Sequence, residues 1–169
     1  MKAEDLRALQ APLKDRYKEA PETALITLSA QGRAGEGVSC KIETGKGLVV
    51  AGLHPATGGT GQQACSGDML LEALVACAGV TLNAVATALG IVLREATVKA
   101  EGDLDFRGTL GVSKEAPVGF QAIRLKLLLD TDASEEQLAT LLRLTERYCV
   151  IYQTLKNPPP MSVGRSAAA

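Results

Sequence analysis

The stretch Ser66-Gly-Asp-Met-Leu-Leu-Glu-Ala-Leu-Val-Ala-Cys77-Ala-Gly-Val-Thr-Leu-Asn-Ala-Val-Ala-Thr-Ala-Leu89, closed by Gly90, decides the fold. Ser66 is placed to cap a helix and Asp68 to complement its dipole in the first turn. Gly90 suits its end. The segment is apolar nearly all round, which predicts a central buried helix rather than a surface one. Cys77 lies in its middle. A second helix is predicted from Ser134, with Gln137 completing a capping box. Leu138, Leu141, Leu142 and Thr145 form its inner face, and Cys149 continues that stripe. A short turn, Val150–Leu155, follows and is stopped by Pro158-Pro-Pro.

Outward from these helices the patterns change period. Residues 3–18 read as an amphipathic helix with Leu6, Leu9, Leu13 and Tyr17 on one side, kinked or split at Pro12. Residues 24–30, Val38–Glu43 and Leu48–Leu53 read as strands, with Gln31–Gly37 as a glycine-rich turn and Thr44-Gly-Lys-Gly as another. Residues 91–107 and 120–130 read as long strands, joined by a hairpin connection over 108–119. Met161-Ser-Val-Gly is expected to form a last short strand. Helix, strands, central helix, strands and helix in that order predict an α+β fold with antiparallel sheets. Residues 1–22 form an N-terminal helical extension and 23–169 one domain.

Composition excludes several functions. Aromatic residues make up 3% of the chain and Trp is absent, so the stacking platforms used on single-stranded nucleic acids are missing. The net charge of −1 gives no bulk attraction to polyphosphate. Hydrophobic residues at 46% allow a sizeable aliphatic core. No run of about 18 uninterrupted apolar residues predicts a membrane span. The start Met1-Lys-Ala-Glu-Asp-Leu-Arg lacks the apolar core of a signal peptide. A cytoplasmic location is expected, where Cys40, Cys65, Cys77 and Cys149 would not form a static disulfide framework. Their spacing, with His54 the single histidine, does not suit zinc. Gly58-Gly-Thr-Gly lacks the Gly-Lys-Ser/Thr of a phosphate loop.

If folding joins Cys77 to Cys149, the chain carries a paired-thiol redox site. Taken alone, each cysteine reads as a small buried hydrophobe. Cys77 is too far from the start of its own helix to gain from that dipole, and burial would raise its pKa, so a neighbouring cation would be needed to activate it. Arg33, among glycines 32, 35 and 37, could be delivered by a folded turn or stay solvated. Asp68 and Glu72 are tempting partners, but they lie about 180° and about 140° around the helix from Cys77. Asp68 reads first as a capping residue, Glu72 as a buried or interface carboxylate. Cys40 reads as mid-strand packing, Cys65 as a reactive loop thiol, and His54 as structural.

The glycine loop, Ser66–Cys77 and its apolar helix, and Cys149-Val-Ile-Tyr-Gln-Thr-Leu together resemble the OsmC/Ohr superfamily of hydroperoxide-reducing proteins. Gly32-Arg33-Ala-Gly35 is similar to the family's arginine turn. The resemblance spans about residues 23–165. It implies an intertwined homodimer with two equivalent sites near the interface. It also implies Cys77 as peroxidatic thiolate, Cys149 as resolving thiol, and Arg33 as the cation that activates Cys77, reaching in from either chain. No bound cofactor is implied; an external dithiol, such as dihydrolipoyl groups, would be the reductant. Leu70, Leu74, Val80 and Leu155 are the expected apolar substrate pocket. The chain departs from the Ohr pattern at Gly67, where a carboxylate would hold the arginine, and at Val150, where proline would follow the second cysteine. The alternative reading is a non-catalytic dimer that binds a small apolar ligand in the same cleft.

Overall fold

Helix α1, Ser66–Leu89, organises the structure, a computed structural model that describes residues 2–5, 8, 11, 19, 31–34, 39–44, 47–111 and 113–165, with backbone alone at 31–34, 39–44 and 47. Its cap is not Ser66. Cys65 occupies the N-cap position in extended conformation without a side-chain cap bond, and Ser66 is the first helical residue. Asp68 sits in the first turn as expected. Gly90 ends the helix at φ 70°, its N–H reaching the carbonyls of Ala86 and Thr87. That left-handed conformation costs a residue with a Cβ, which is why glycine stands there.

Leu74, Ala78, Leu82, Val85 and Ala86 are buried along one face of α1. The opposite face is open within the single chain, with Val80 at 72% exposure. An all-round apolar sequence therefore buries one side only. By length and composition α1 could also cross a membrane, a test the absence of a long uninterrupted apolar run did not anticipate. Here its buried face packs on a strand and two later helices, as a core helix does.

The sheets are antiparallel. Strands β1 (Gln31–Ala34), β2 (Ser39–Thr44) and β3 (Gly47–Gly52) form one in that order. Gln31–Ala34, read from its glycines as a turn, is thus a strand, with Arg33 opposite Lys41. The pairing along β2 overrides the weak strand preference of Gly32. The strand expected at 24–30, the rest of the expected turn at 35–37, residue 38 of the expected strand and 45–46 of the next turn lie outside the described residues, as does most of the predicted N-terminal helix; residues 3–5, 8, 11 and 19 are helical. The second sheet pairs β4 (Glu95–Asp103) with β5 (Ala122–Asp130), Glu95 opposite Asp130 and Asp103 opposite Ala122. Both strands are shorter than the sequence suggested. Their connection opens with a helical turn, α2 (Phe106–Thr109), capped by Asp105.

Ile123, Leu125, Leu127 and Leu129 alternate inward along β5 with outward residues, the period-2 pattern of a half-buried strand. Outside, Lys99 and Lys126 face each other, and Glu101 bridges both, at 2.8 and 3.1 Å. Helix α3 (Glu135–Tyr148) begins with the predicted capping box of Ser134 and Gln137. Leu141 and Thr145 are buried, but Leu142 is 39% exposed, so it flanks the inner face instead of forming it. Helix α4 (Val150–Lys156) follows after one residue, Cys149. Met161–Gly164, expected as a strand, carries no regular structure.

Candidate functional site

Cys149 is both the last cap of α3 and the first cap of α4, at φ −72° and ψ 106°. Its N–H reaches the Thr145 carbonyl at 3.0 Å and its carbonyl receives the Gln153 N–H at 2.9 Å. A single extended residue therefore turns the chain. The first amides of a helix have no partner inside it. Those of Val150 and Ile151 lie across the core beside the sulfur of Cys77 and favour its anion.

The two cysteines meet in one apolar cluster. Leu74, Ala78 and Cys149 are its buried centre, with Cys77, Val98, Leu125, Tyr152 and Leu155 packed around them. Both thiols are free. Burial pushes the Cys77 pKa up, but the neighbouring Ile151 amide, Cys149 thiol, Val150 amide and Thr81 hydroxyl each pull it down, and the net effect lies below the ordinary thiol value. Cys149 moves the other way. Burial raises it, its bond to Cys77 and the charge there raise it further, and the amides of Tyr152 and Ile151 offset this only in part. Those amides meet its sulfur without the geometry of a proper capping bond. Of the pair, Cys77, half-buried, is thus the readier to ionise, and Cys149, 1% exposed, the readier to keep its proton.

The lowering of Cys77 has a cause that reading along one helix did not supply. Its own helix start is far away, yet the start of α4 is beside it. No cation acts on Cys77 among the described residues. The Arg33 side chain lies outside them; its backbone is in β1. Asp68 and Glu72 are exposed and neither acts on the sulfur, so Glu72 is not buried within the chain. Leu74 and Leu155 line one cavity of about 320 Å³ with Phe120, Ile123, Leu125 and Tyr152. Leu70 is half-buried outside that lining, and Val80 is on the open face of α1. His54 is structural: its Nδ1 accepts the Ala56 N–H at 3.1 Å and its ring stacks on Phe106 at 4.9 Å. Cys65 is half-buried at the start of α1, and Cys40 pairs in β2 with Ala34 and Ala51. Thr81 was missed; its spacing of one helical turn from Cys77 was the available signal.

Two free thiols packed together with oppositely displaced pKa values, on a mixed α/β fold with antiparallel sheets, define a protein with a dithiol site. The chain belongs to the family of OsmC-like proteins, whose family model matches residues 59–164. Its fold is similar to that of an OsmC-like protein from Mycoplasma pneumoniae, at TM-score 0.66 and 16% identity over 79% of this chain and 89% of that one. An organic hydroperoxide resistance protein OsmC from Legionella pneumophila aligns at TM-score 0.60 and 18% identity, over 79% and 93%. One from Elizabethkingia anophelis, described as an organic hydroperoxide resistance protein, aligns at 0.59 and 18%, over 79% and 91%. No curated protein matches the chain.

Proposed function

We propose that this chain is a thiol-dependent peroxidase that reduces organic hydroperoxides to alcohols. The observation that carries the proposal is the contact of Cys77 with Cys149 and the opposite displacement of their pKa values. The two hydroperoxide resistance proteins of similar fold support it. In this reading the Cys77 thiolate attacks the hydroxyl oxygen of the peroxide. The O–O bond breaks, the alkoxide leaves with a proton from solvent, and Cys77 becomes a sulfenic acid. Cys149 then attacks that sulfur, water leaves, and a disulfide joins the two. A dithiol reductant, with dihydrolipoyl groups as the candidate, restores both thiols by exchange.

The cavity lined by Leu74 and Leu155 is the proposed seat of the alkyl group, which gains about 25 cal/mol for each Å² of apolar surface removed from water. The protein would work in the cytoplasm as a homodimer whose second copy covers the open face of α1. Arg33, from either copy, would then add the charge that orients the peroxide. A ligand-binding dimer would need neither thiol, and it leaves the opposed pKa displacements without a use.

Titration of the reduced protein with cumene hydroperoxide tests the proposal. Loss of two thiols per chain, with a Cys77–Cys149 link found by mass spectrometry, is expected. Thiols that persist at excess peroxide would favour the binding module.

A further inference from the structure

A separate cavity, of about 370 Å³, opens at the start of α1, and neither Cys77 nor Cys149 lines it. Cys65 does, and by the helical rise it stands about 18 Å along α1 from Cys77. Three other stretches wall the space: the loop after β3 with His54, the end of β4 with Gly102 and Leu104, and the connection to β5 with Phe106 and Phe120. The chain has two phenylalanines and one histidine, and all three are here. They are half-buried, so their rings are not core filling and line the space with open surface.

The walls are fixed in advance. His54 stacks on Phe106 with ring centres 4.9 Å apart and planes 16° from parallel, and the Ala56 N–H holds its Nδ1. Phe120 lies against the backbone of Gly102, where a Cβ would come within 2.5 Å of the ring. That glycine lets the ring close the wall. Gly67 has a different role. It is the second residue of α1, its φ is not positive, and a Cβ there would meet Leu104, Phe120 and the Cys65 sulfur at 3.5, 3.5 and 3.6 Å, ordinary contact. Neither backbone nor packing demands glycine there, and glycine is a poor helix former. Its effect at this point is to leave the cavity open.

Asp68 and Asp103 are the charged residues of the lining, and among the described residues no lysine or arginine joins them there. Arg124 already pairs with Asp103. Asp68, exposed, is the carboxylate left to meet a ligand. Carboxylates repel an anion, and aromatic faces attract a cation. We propose that this cavity binds a small aromatic cation of the arylalkylamine class, its ring among His54, Phe106 and Phe120 and its ammonium at Asp68. Burial of the ring is the larger gain, because an ion pair at an exposed carboxylate contributes little in water. The site is independent of the thiol chemistry proposed above.

Tryptamine is the probe, and indole-3-propionate, the same ring on a carboxylate, is its control. The chain has no Trp, so indole emission reports the probe alone. The full reduced chain is titrated into each. Tryptamine is expected to bind, and the anion to bind several-fold more weakly; equal affinities overturn the proposal. Asp68→Asn is expected to weaken tryptamine about threefold, the size of one exposed ion pair. An unaltered affinity overturns the placement of the ammonium. Gly67→Leu, which fills the space, is expected to abolish binding, and full affinity in the folded variant overturns the proposal. The unaltered chain decides the matter without either variant. Bound tryptamine is expected to slow iodoacetamide alkylation of Cys65, read by peptide mass spectrometry, and to leave Cys77 unchanged. Cys65 alkylated equally fast under saturating tryptamine, or Cys65 and Cys77 slowed alike, overturns the proposal. None of these outcomes bears on the peroxidase reading, which the cumene hydroperoxide titration tests by itself.

Discussion

The amide N–H of Ile151, in the first turn of α4, lies beside the sulfur of Cys77 in the middle of α1 and lowers its pKa. Two helices from distant parts of the chain therefore meet at one sulfur. The Val150 amide does the same.

Val150→Pro isolates that second donor. Val150 is the first residue of α4, where proline fits, and its side chain is 68% exposed, so no core packing is lost. Cys149, at ψ 106°, already has the extended conformation that a following proline demands. The expected result is an unchanged fold with a Cys77 pKa moved back toward the ordinary thiol value. The pH dependence of Cys77 alkylation by iodoacetamide measures it; an unmoved profile would show that this amide does not hold the thiolate.

Cys149→Ala removes both a donor to Cys77 and the resolving thiol. Alkylation of Cys77 is expected to need higher pH, and peroxide should leave a sulfenic acid that dimedone traps. In the unaltered chain the reactive anion persists as pH falls below the ordinary thiol value and disappears through the lowered pKa of Cys77. The accompanying stabilisation has the same sign: present above the unfolded thiol pKa, lost as pH drops through the folded one.

Leu82→Ala tests the core under α1. Leu82 is fully buried beside Val85, Ile91 and Leu141. The loss expected in denaturant unfolding is about 2–5 kcal/mol, from lost burial and the cavity left behind. A loss well under that range would mean the site collapses around the smaller residue.

Glu101→Gln tests the outer face of the hairpin. Hydrogen bonds and charge from Lys99 and Lys126 hold Glu101 down at about 2. A carboxylate lowered in this way stabilises above its unfolded pKa, and the benefit fades as pH falls from about 4.3 through about 2. Acid titration of stability should therefore be flatter in the variant over that window, and more alike between the two proteins at high salt.

Much of this architecture was legible locally. Gly90 stops α1 because a left-handed residue is needed there, and Ser134 with Gln137 starts α3 by satisfying free amides. The alternation along β5 predicts its inward face. Gln31–Ala34 was misread because its glycines outweighed a pairing partner ten residues on, and Leu142 because a helical stripe does not say where the neighbouring strand stops.

By itself the sequence determined the capping box of α3, the glycine stop of α1 and the two helical segments that lead to Cys77 and Cys149, since propensity, periodicity and caps act within a few residues. Only the tertiary structure decided which thiol ionises more readily. Burial and hydrogen bonds set that balance, and the donors to Cys77 come from a helix that chain order places far away.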